Sequence, residues 1–324
     1  MRVPAAAVIV LVLASFAAGA RAASTNVSIA SGDATIAATI TPGAGSGRRA
    51  AAVLIGGSGP ATRRPVQPFV HRLVEAGVTT LAYDKRGAGE SSGDWTAASL
   101  DDLTQDAAAA VAALRSRPDV DPERVGVWAI SQGGWIVPNL AARTRLAFAI
   151  VVTGGGVRPR DLERASYAAA LDHAGVSSAD RTAALDLVDR YLDYLQDGRG
   201  YDELRRRIDA VKQTAWLAPL GIERVLPPPA TRRAWNWVAA FDPLPLTARM
   251  QMPALVMLGS RDILAADAAA RWKEGFERAG NHDAQVVVVP DAAHALQREH
   301  RLGAPPVREY DDLVRAFLTK HGLM

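Results

Sequence analysis

Short apolar runs and longer helical repeats follow one another along this chain. The apolar runs predict strands at residues 27–30, 35–40, 51–55, 78–83, 125–130, 148–152, 254–258 and 286–289. Helical spacing of apolar residues predicts helices over residues 66–76, after a cap at Ser99, and over residues 308–320. The later strands are apolar throughout, which is typical of a parallel sheet with helices on both faces. The pattern therefore predicts an α/β fold.

Between residues 157 and 245 the strand signal stops and only helical patterns remain. These patterns cover residues 160–174, 178–196 and 201–216, and a short helix with Trp235 and Trp237 follows. Both ends of the segment connect to predicted strands, and an irregular loop of this length would be uncommon. We interpret residues 157–245 as a helical cap inserted into a core of residues 23–156 and 246–324. A separate small domain unrelated to the site is the alternative.

The first residues have the pattern of a secretory leader. Met1-Arg2 is followed by an apolar, alanine-rich run, and Ala20-Arg21-Ala22 fits a cleavage site between small residues. We expect residues 1–22 to be a signal peptide and the protein to be exported, to the periplasm or outside the cell. A retained membrane anchor is the alternative, but the apolar run is interrupted before it reaches the length of a membrane span, so no stable span is expected after cleavage.

Composition narrows the classes of partner. The 324 residues are 49% hydrophobic and 22% charged, with a net charge of +3 and no arginine-rich block, so a nucleic acid is not an expected partner. There is no cysteine, which excludes disulfides and thiolate zinc sites. The chain also lacks the HExxH and GxxxxGK[ST] patterns, and neither a metal nor a cofactor is expected.

The most informative motif is the segment Ala129-Ile130-Ser131-Gln132-Gly133-Gly134, where a predicted strand ends in a serine and two glycines. A serine on a sharp turn between strand and helix presents its hydroxyl above the sheet, and the turn requires small neighbours. We interpret Ser131 as the nucleophile of such an elbow, with Ala129 in place of the usual first glycine. A plain helix N-cap is the structural alternative.

A nucleophilic serine requires a base and an acid to orient that base, and the chain order in this topology is serine, acid, histidine. Asp262 and His294 each follow a predicted strand, at the carboxyl end where catalytic groups of open α/β sheets gather. We expect Asp262 to be the acid and His294 the base. The alternatives in sequence are Asp267 and Asp291 for the acid and His300 for the base.

The donors for a developing oxyanion are expected to be backbone amides. Gln132 directly follows Ser131, and Ser58 lies in the glycine-rich loop after the strand at residues 51–55. The alternative for this loop is a flexible glycine turn without a catalytic role.

With these residues identified, the chain resembles the α/β-hydrolase superfamily and, within it, serine esterases with an inserted helical cap. The matching segments are Gly56-Gly57-Ser58-Gly59-Pro60, Asp84-Lys85-Arg86-Gly87-Ala88-Gly89-Glu90-Ser91, Ser131-Gln132-Gly133-Gly134-Trp135, Gly259-Ser260-Arg261-Asp262 and Pro290-Asp291-Ala292-Ala293-His294.

The resemblance implies an eight-stranded, mostly parallel sheet with the second strand antiparallel, flanked by helices. It implies a triad of Ser131, Asp262 and His294 that works without a cofactor. It also implies that Asp84 and Arg86 are structural and brace the loop beside the elbow. Three small residues, Gly57, Ala129 and Gly133, are expected to have structural roles near the site.

The expected function is hydrolysis of small carboxylic esters through an acyl-enzyme. A serine peptidase or amidase, a thioesterase, or a non-catalytic binding protein on the same fold are the alternatives. Trp216, Trp235 and Trp237 in the cap predict an apolar pocket over the serine and a preference for small to medium acyl groups. The alternative is that these tryptophans belong to the core.

Overall fold

A single eight-stranded sheet forms the centre of the computed structural model, which describes residues 23–298 and 304–324. In chain order the strands are β1 (Thr25–Ser31), β2 (Ala34–Thr41), β3 (Arg49–Ile55), β4 (Thr79–Tyr83), β5 (Val120–Ile130), β6 (Ala149–Val152), β7 (Ala254–Gly259) and β8 (Ala284–Val289). Every predicted strand is present. The predicted leader, residues 1–22, lies outside the described residues.

The strand order across the sheet is β1-β2-β4-β3-β5-β6-β7-β8. Strand β2 is antiparallel to both of its neighbours, and all the pairs from β4 to β8 are parallel. This topology confirms the fold that the resemblance implied. Because the six parallel strands from β3 to β8 point the same way, the loops that follow them meet at one edge of the sheet.

Helices cover both faces of the sheet. The helices outside the segment between β6 and β7 are α1 (Gln67–Glu75), α2 (Leu100–Arg115), α3 (Gly133–Ala141), α11 (Ala265–Arg278) and α12 (Arg308–Lys320). Alternate residues of each strand enter opposite cores. Val127 packs in the core under α2, α3 and α11, and its neighbour Trp128 packs in the core under α1 and α12. Both faces of the parallel strands are therefore apolar, as the continuous runs in the sequence predicted.

Local sequence explains where α2 begins. The Ser99 hydroxyl accepts a hydrogen bond from the Asp102 amide at 3.1 Å, and the Asp102 carboxylate accepts one from the Ser99 amide at 2.8 Å. This reciprocal capping box satisfies two amides that the first turn leaves without partners. The predicted cap at Ser99 is confirmed.

Helix α11 is absent from the predicted elements. Its buried residues Ala265, Ala268, Ala269, Trp272 and Phe276 have helical spacing, and that spacing could have identified it. The helix begins only three residues after Asp262, so it packs directly beside the candidate site. The turn between them requires a left-handed conformation at Leu264 (φ 55°).

The C-terminal helix α12 packs on the sheet through one polar contact inside an aromatic cluster. The indole nitrogen of Trp128 in β5 donates a hydrogen bond to the Tyr310 hydroxyl at 3.0 Å. Phe69 of α1 contacts both rings, with centroid distances of 4.4 Å to Trp128 and 5.2 Å to Tyr310. Burial raises the pKa of Tyr310 above its ordinary value, so the hydroxyl stays neutral.

The chain between β6 and β7 is helical. Its α-helices are α4 (Pro159–His173), α5 (Ser178–Asp197), α6 (Tyr201–Val211), α7 (Leu217–Leu220), α8 (Ile222–Val225), α9 (Asn236–Ala240) and α10 (Leu244–Thr247), and Arg232–Trp235 forms a 3-10 helix. Helix α6 ends at Val211, five residues before the predicted end. Trp216 lies beyond it, buried in the separate apolar core of this segment. No helix among the described residues has the length and apolar character that crossing a membrane requires.

The Trp128–Tyr310 contact generates a stability prediction. Tyr310→Phe keeps the ring packing but leaves the buried indole N–H without an acceptor, which should lower the free energy of unfolding by about 1–3 kcal/mol. Urea denaturation of the purified variant measures this loss. Tyr201→Phe is the matched control, because the Tyr201 ring contact with Tyr194 does not depend on the hydroxyl. Equal stability of the two variants would contradict the assigned role of the hydrogen bond.

Candidate active site

Ser131 lies on a strained turn between β5 and α3. Its φ angle is 56°, in the left-handed region that residues with a side chain seldom adopt. Its amide donates to the carbonyl oxygens of Val152 and Thr153, each at 3.1 Å, and its carbonyl accepts from the Gly134 amide at 2.8 Å. Neighbouring backbone therefore holds the turn in place, as expected of a nucleophile elbow.

Small residues allow three backbone segments to meet at this turn. A Cβ atom on Gly57 would lie 3.2 Å from the Ser131 Cβ, and one on Gly133 would lie 2.9 Å from the Ile55 carbonyl oxygen. The methyl group of Ala129 is fully buried, 3.1 Å from where a Gly133 Cβ would lie. The alanine at the first elbow position thus fits because Gly133 has no side chain.

Asp262 and His294 meet across the ends of β7 and β8. The Asp262 Oδ2 atom lies 3.0 Å from the His294 Nδ1 atom, a distance at which a protonated Nδ1 donates to the carboxylate. The alternatives for the acid lie elsewhere, since Asp267 is exposed on α11 and Asp291 is exposed in the loop after β8. His300 lies outside the described residues.

Ser131, Asp262 and His294 line one cavity of about 290 Å³ at the carboxyl edge of the sheet. Ser58 from the loop after β3 and Trp135 from α3 line the same cavity. The structure thus gathers side chains that are far apart in sequence at the place where parallel strands end. Their catalytic roles remain predictions.

The two amides predicted to bind an oxyanion are available. In the described part of the chain, neither the Ser58 amide nor the Gln132 amide donates a backbone hydrogen bond. Gln132 is the residue before the first turn of α3, where amides have no partner within the helix. Free amides beside a nucleophile are what an oxyanion site requires.

Backbone strain is concentrated around this cavity. Among the described residues, the non-glycine residues with positive φ are Ser131, Thr153, Leu264, Asp291, Ala295 and Leu296. All of them lie in the loops that follow β5, β6, β7 and β8. Such conformations cost about 1–3 kcal/mol each and cluster at functional sites, where the surrounding structure enforces them.

Asp84 and Arg86 are buried beside the site and make the contacts of bracing residues. Asp84 accepts hydrogen bonds from the Arg63 amide at 2.8 Å and the Glu90 amide at 3.0 Å, which joins the loop after β3 to the loop after β4. Arg86 donates two hydrogen bonds of 2.8 Å to Asp106 of α2. These bonds raise the pKa of Arg86. Asp106 is 1% exposed, and no motif in the sequence identified it as the partner.

A second, smaller chamber of about 110 Å³ adjoins the cavity and shares Ser58, Trp135 and Glu163 with it. Its aromatic walls are Trp95, Trp135, Trp235 and Trp237. The predicted contributions of Trp235 and Trp237 to a pocket agree with this geometry, whereas Trp216 packs in the core of the helical segment. Trp95 and Trp135 were missed, since neither lies in the segment predicted to cover the serine.

Two charged residues of this chamber, Lys85 and Glu163, were also not predicted from the sequence to belong to the site. Lys85 is buried behind the loop after β3, and burial lowers its pKa to about 8. Glu163 on α4 faces both cavities, and burial raises its pKa. In sequence, both residues resemble ordinary surface charges. No cluster of three or more metal-ligating side chains occurs among the described residues.

The sequence also matches a protein-family model and part of a known bacterial protein. The family model for Hydrolase_4, described as serine aminopeptidase, S33, matches residues 47–197. An uncharacterized 31.7 kDa protein in the traX-finO intergenic region of Escherichia coli is 31% identical over 115 residues. That match covers 32% of this chain and 39% of the relative, so the chain spans about two fifths of the relative's length.

Solved structures of low sequence identity share the whole fold. The esterase PF2001 of Pyrococcus furiosus superposes with a TM-score of 0.60 at 16% identity, covering 92% of this chain and 91% of that one. Proline iminopeptidase of Mycobacterium smegmatis superposes with a TM-score of 0.59 at 15% identity, covering 92% and 99%. These likenesses show the fold alone. Support for a hydrolase comes from the family model.

Arg86 and Asp106 form a buried ion pair whose loss should destabilise the fold. Asp106→Ala leaves a buried guanidinium without its main partner and should lower the free energy of unfolding by about 3 kcal/mol or more. Asp33→Ala is the control, because Asp33 contacts the same guanidinium at 3.2 Å but its side chain is 88% exposed. We expect that variant to change stability by less than about 0.5 kcal/mol. Chemical denaturation compares the two, and equal effects would contradict the bracing role.

Proposed function

We propose that the chain is a serine hydrolase of the α/β-hydrolase superfamily that cleaves small carboxylic esters. The observation that carries the proposal is the convergence of three groups on one cavity. Asp262 lies 3.0 Å from His294, and Ser131 lines the same cavity on a left-handed turn. This set supplies a nucleophile, a base and an acid.

The proposed reaction has two stages. In the first, the His294 Nε2 atom takes the proton of the Ser131 hydroxyl while its oxygen attacks the ester carbonyl carbon. The intermediate collapses, the alcohol leaves with the proton from His294, and an ester between Ser131 and the acyl group remains. In the second stage, His294 takes a proton from the water that attacks this ester, the acid is released, and His294 returns the proton to the Ser131 oxygen. Asp262 orients the imidazole and stabilises its positive charge.

The oxyanion of each tetrahedral intermediate would be bound by the amides of Ser58 and Gln132. Fixed donors of this kind are effective because they do not reorganise when charge develops. The smaller chamber next to Ser58 suits a short acyl group. Its volume is about 110 Å³, smaller than the 290 Å³ of the main cavity, and tryptophan rings form its walls.

A serine aminopeptidase is the second candidate, and Glu163 is the observation that favours it. No hydrogen bond or ion pair of the Glu163 carboxylate occurs in the described ranges, and Glu163 faces both cavities. A free substrate amino group would provide the missing partner. The name of the matching family points the same way. The ester proposal ranks first because the raised pKa of Glu163 disfavours the charged carboxylate that an amine requires.

Replacing the nucleophile tests the catalytic proposal. Ser131→Ala should abolish covalent labelling by a fluorophosphonate and lower kcat for p-nitrophenyl acetate by at least about 10,000-fold. Mass spectrometry of the labelled wild-type protein should locate the adduct on Ser131. Ser116→Ala, an exposed serine at the end of α2, should match the wild type in both assays. Labelling of a folded protein at any other serine would overturn the assignment.

A substrate comparison separates the two candidates. We expect kcat/KM for p-nitrophenyl butyrate to exceed that for alanine p-nitroanilide by at least about tenfold, a difference of about 1.4 kcal/mol in activation free energy. Glu163→Gln removes the ionisable carboxyl group at nearly constant shape and should leave ester hydrolysis within about threefold of the wild type. Faster anilide cleavage that Glu163→Gln abolishes would establish the aminopeptidase candidate instead.

A further inference from the structure

Lys85 makes two short contacts behind the candidate oxyanion site. Its Nζ atom donates to the Gly57 carbonyl oxygen at 2.6 Å and to the Gln132 side-chain oxygen Oε1 at 2.6 Å. One contact is therefore to the loop after β3, and the other is to the residue that follows Ser131. A single ammonium group joins the two segments that carry the amides of Ser58 and Gln132.

The contact with Gly57 acts on the Ser58 amide through one peptide group. The Gly57 carbonyl and the Ser58 N–H belong to the same planar, trans peptide unit, in which the C=O and N–H bonds point in opposite directions. Fixing the oxygen on the Lys85 side consequently directs the N–H away from Lys85. The hydrogen bond from the positively charged Lys85 ammonium to this oxygen also polarises the amide and strengthens its N–H as a donor.

The charge of Lys85 has no compensating carboxylate. Within the described ranges, no acidic oxygen lies within salt-bridge distance of its Nζ atom, and both of its acceptors are neutral. Its neighbours in sequence are engaged elsewhere, Asp84 with loop amides and Arg86 with Asp106. Glu163 of α4 lines the same smaller chamber as Lys85, and His294 lines the adjoining cavity. Burying an ammonium in this way opposes folding, which indicates a functional reason for its position.

We propose that Lys85 is a positioning residue for the oxyanion site, which aims and polarises the Ser58 amide through the Gly57 carbonyl and fixes Gln132 through its side chain. This inference rests on the proposed function. It adds Lys85 as a residue that acts on the tetrahedral intermediate through the Ser58 amide and through Gln132. Lys85 lines the smaller chamber, but its proposed role is indirect, through the Gly57–Ser58 peptide and the Gln132 side chain.

The position of Lys85 also predicts an alkaline limit to activity. Burial lowers the pKa of Lys85 to about 8, so its charge is present below that pH and is lost as the pH rises through it. The neutral amine polarises the Gly57–Ser58 peptide less. The value of kcat should therefore decrease on the alkaline side, with an apparent pKa near 8.

The test measures kcat and KM for p-nitrophenyl acetate between about pH 6 and pH 9.5. Lys85→Met should lower kcat at neutral pH by about 10- to 100-fold, less than the loss of a direct oxyanion donor, and should change KM by less than about threefold. The alkaline decrease of kcat should be absent from this variant. Lys320→Met is the matched control, since Lys320 is exposed on α12 and pairs with Asp283. It should retain the wild-type profile.

Gln132→Glu provides a second readout that leaves Lys85 in place. This nearly isosteric change places a carboxylate beside the ammonium, which favours its charged form and should move the alkaline limit upward by about one pH unit or more. A folded Lys85→Met with wild-type kcat, an unmoved limit in Gln132→Glu, or a wild-type profile without any alkaline decrease would each overturn the inference.

The controls separate this inference from the proposed function. If a fluorophosphonate fails to label Ser131 in the wild-type protein, both are wrong. If Ser131 is labelled and Ser131→Ala is inactive, but Lys85→Met keeps the wild-type kcat and alkaline limit, only the role of Lys85 is wrong.

Discussion

The close approach of backbone around Ser131 is the constraint on which the site depends. The left-handed turn is held by hydrogen bonds to the end of β6, and the loop after β3 passes over the Ser131 side chain at Gly57. Larger side chains do not fit around the turn. A Cβ atom on Gly57 would meet the Ser131 side chain, and one on Gly133 would meet the Ile55 carbonyl oxygen. The strain of the turn is therefore balanced by packing that only this arrangement of parallel strands supplies.

Three consecutive charged residues after β4 make contacts with three different parts of the structure around this turn. Asp84 binds loop amides, Lys85 reaches the Gly57 carbonyl and the Gln132 side chain, and Arg86 pairs with Asp106 of α2. All three are buried. Their desolvation opposes folding, and each recovers part of this energy through a different set of partners. One short segment thus connects the sheet, α2 and the proposed oxyanion loop.

Much of the fold could be predicted from the sequence because its signals are local. The continuous apolar strands, the capping box at Ser99 and the amphipathic helix α12 depend on neighbours within a few residues. The end of α6 and the location of Trp216 could not be predicted in this way. Both depend on which face the helical segment buries in its own core, and that choice is made by tertiary packing.

The candidate site likewise divides into features with a local sequence signal and features that depend on tertiary contacts. By itself, the sequence predicted the turn at Ser131 and the candidates Asp262 and His294, since a strand followed by a turn has a recognisable local pattern. Only the tertiary structure decided that Asp262, not Asp267 or Asp291, meets His294, and that Lys85 lies behind Gly57. The physical reason is that hydrogen bonds between residues distant in the chain, and the desolvation that shifts a pKa, arise only when separate strands end side by side.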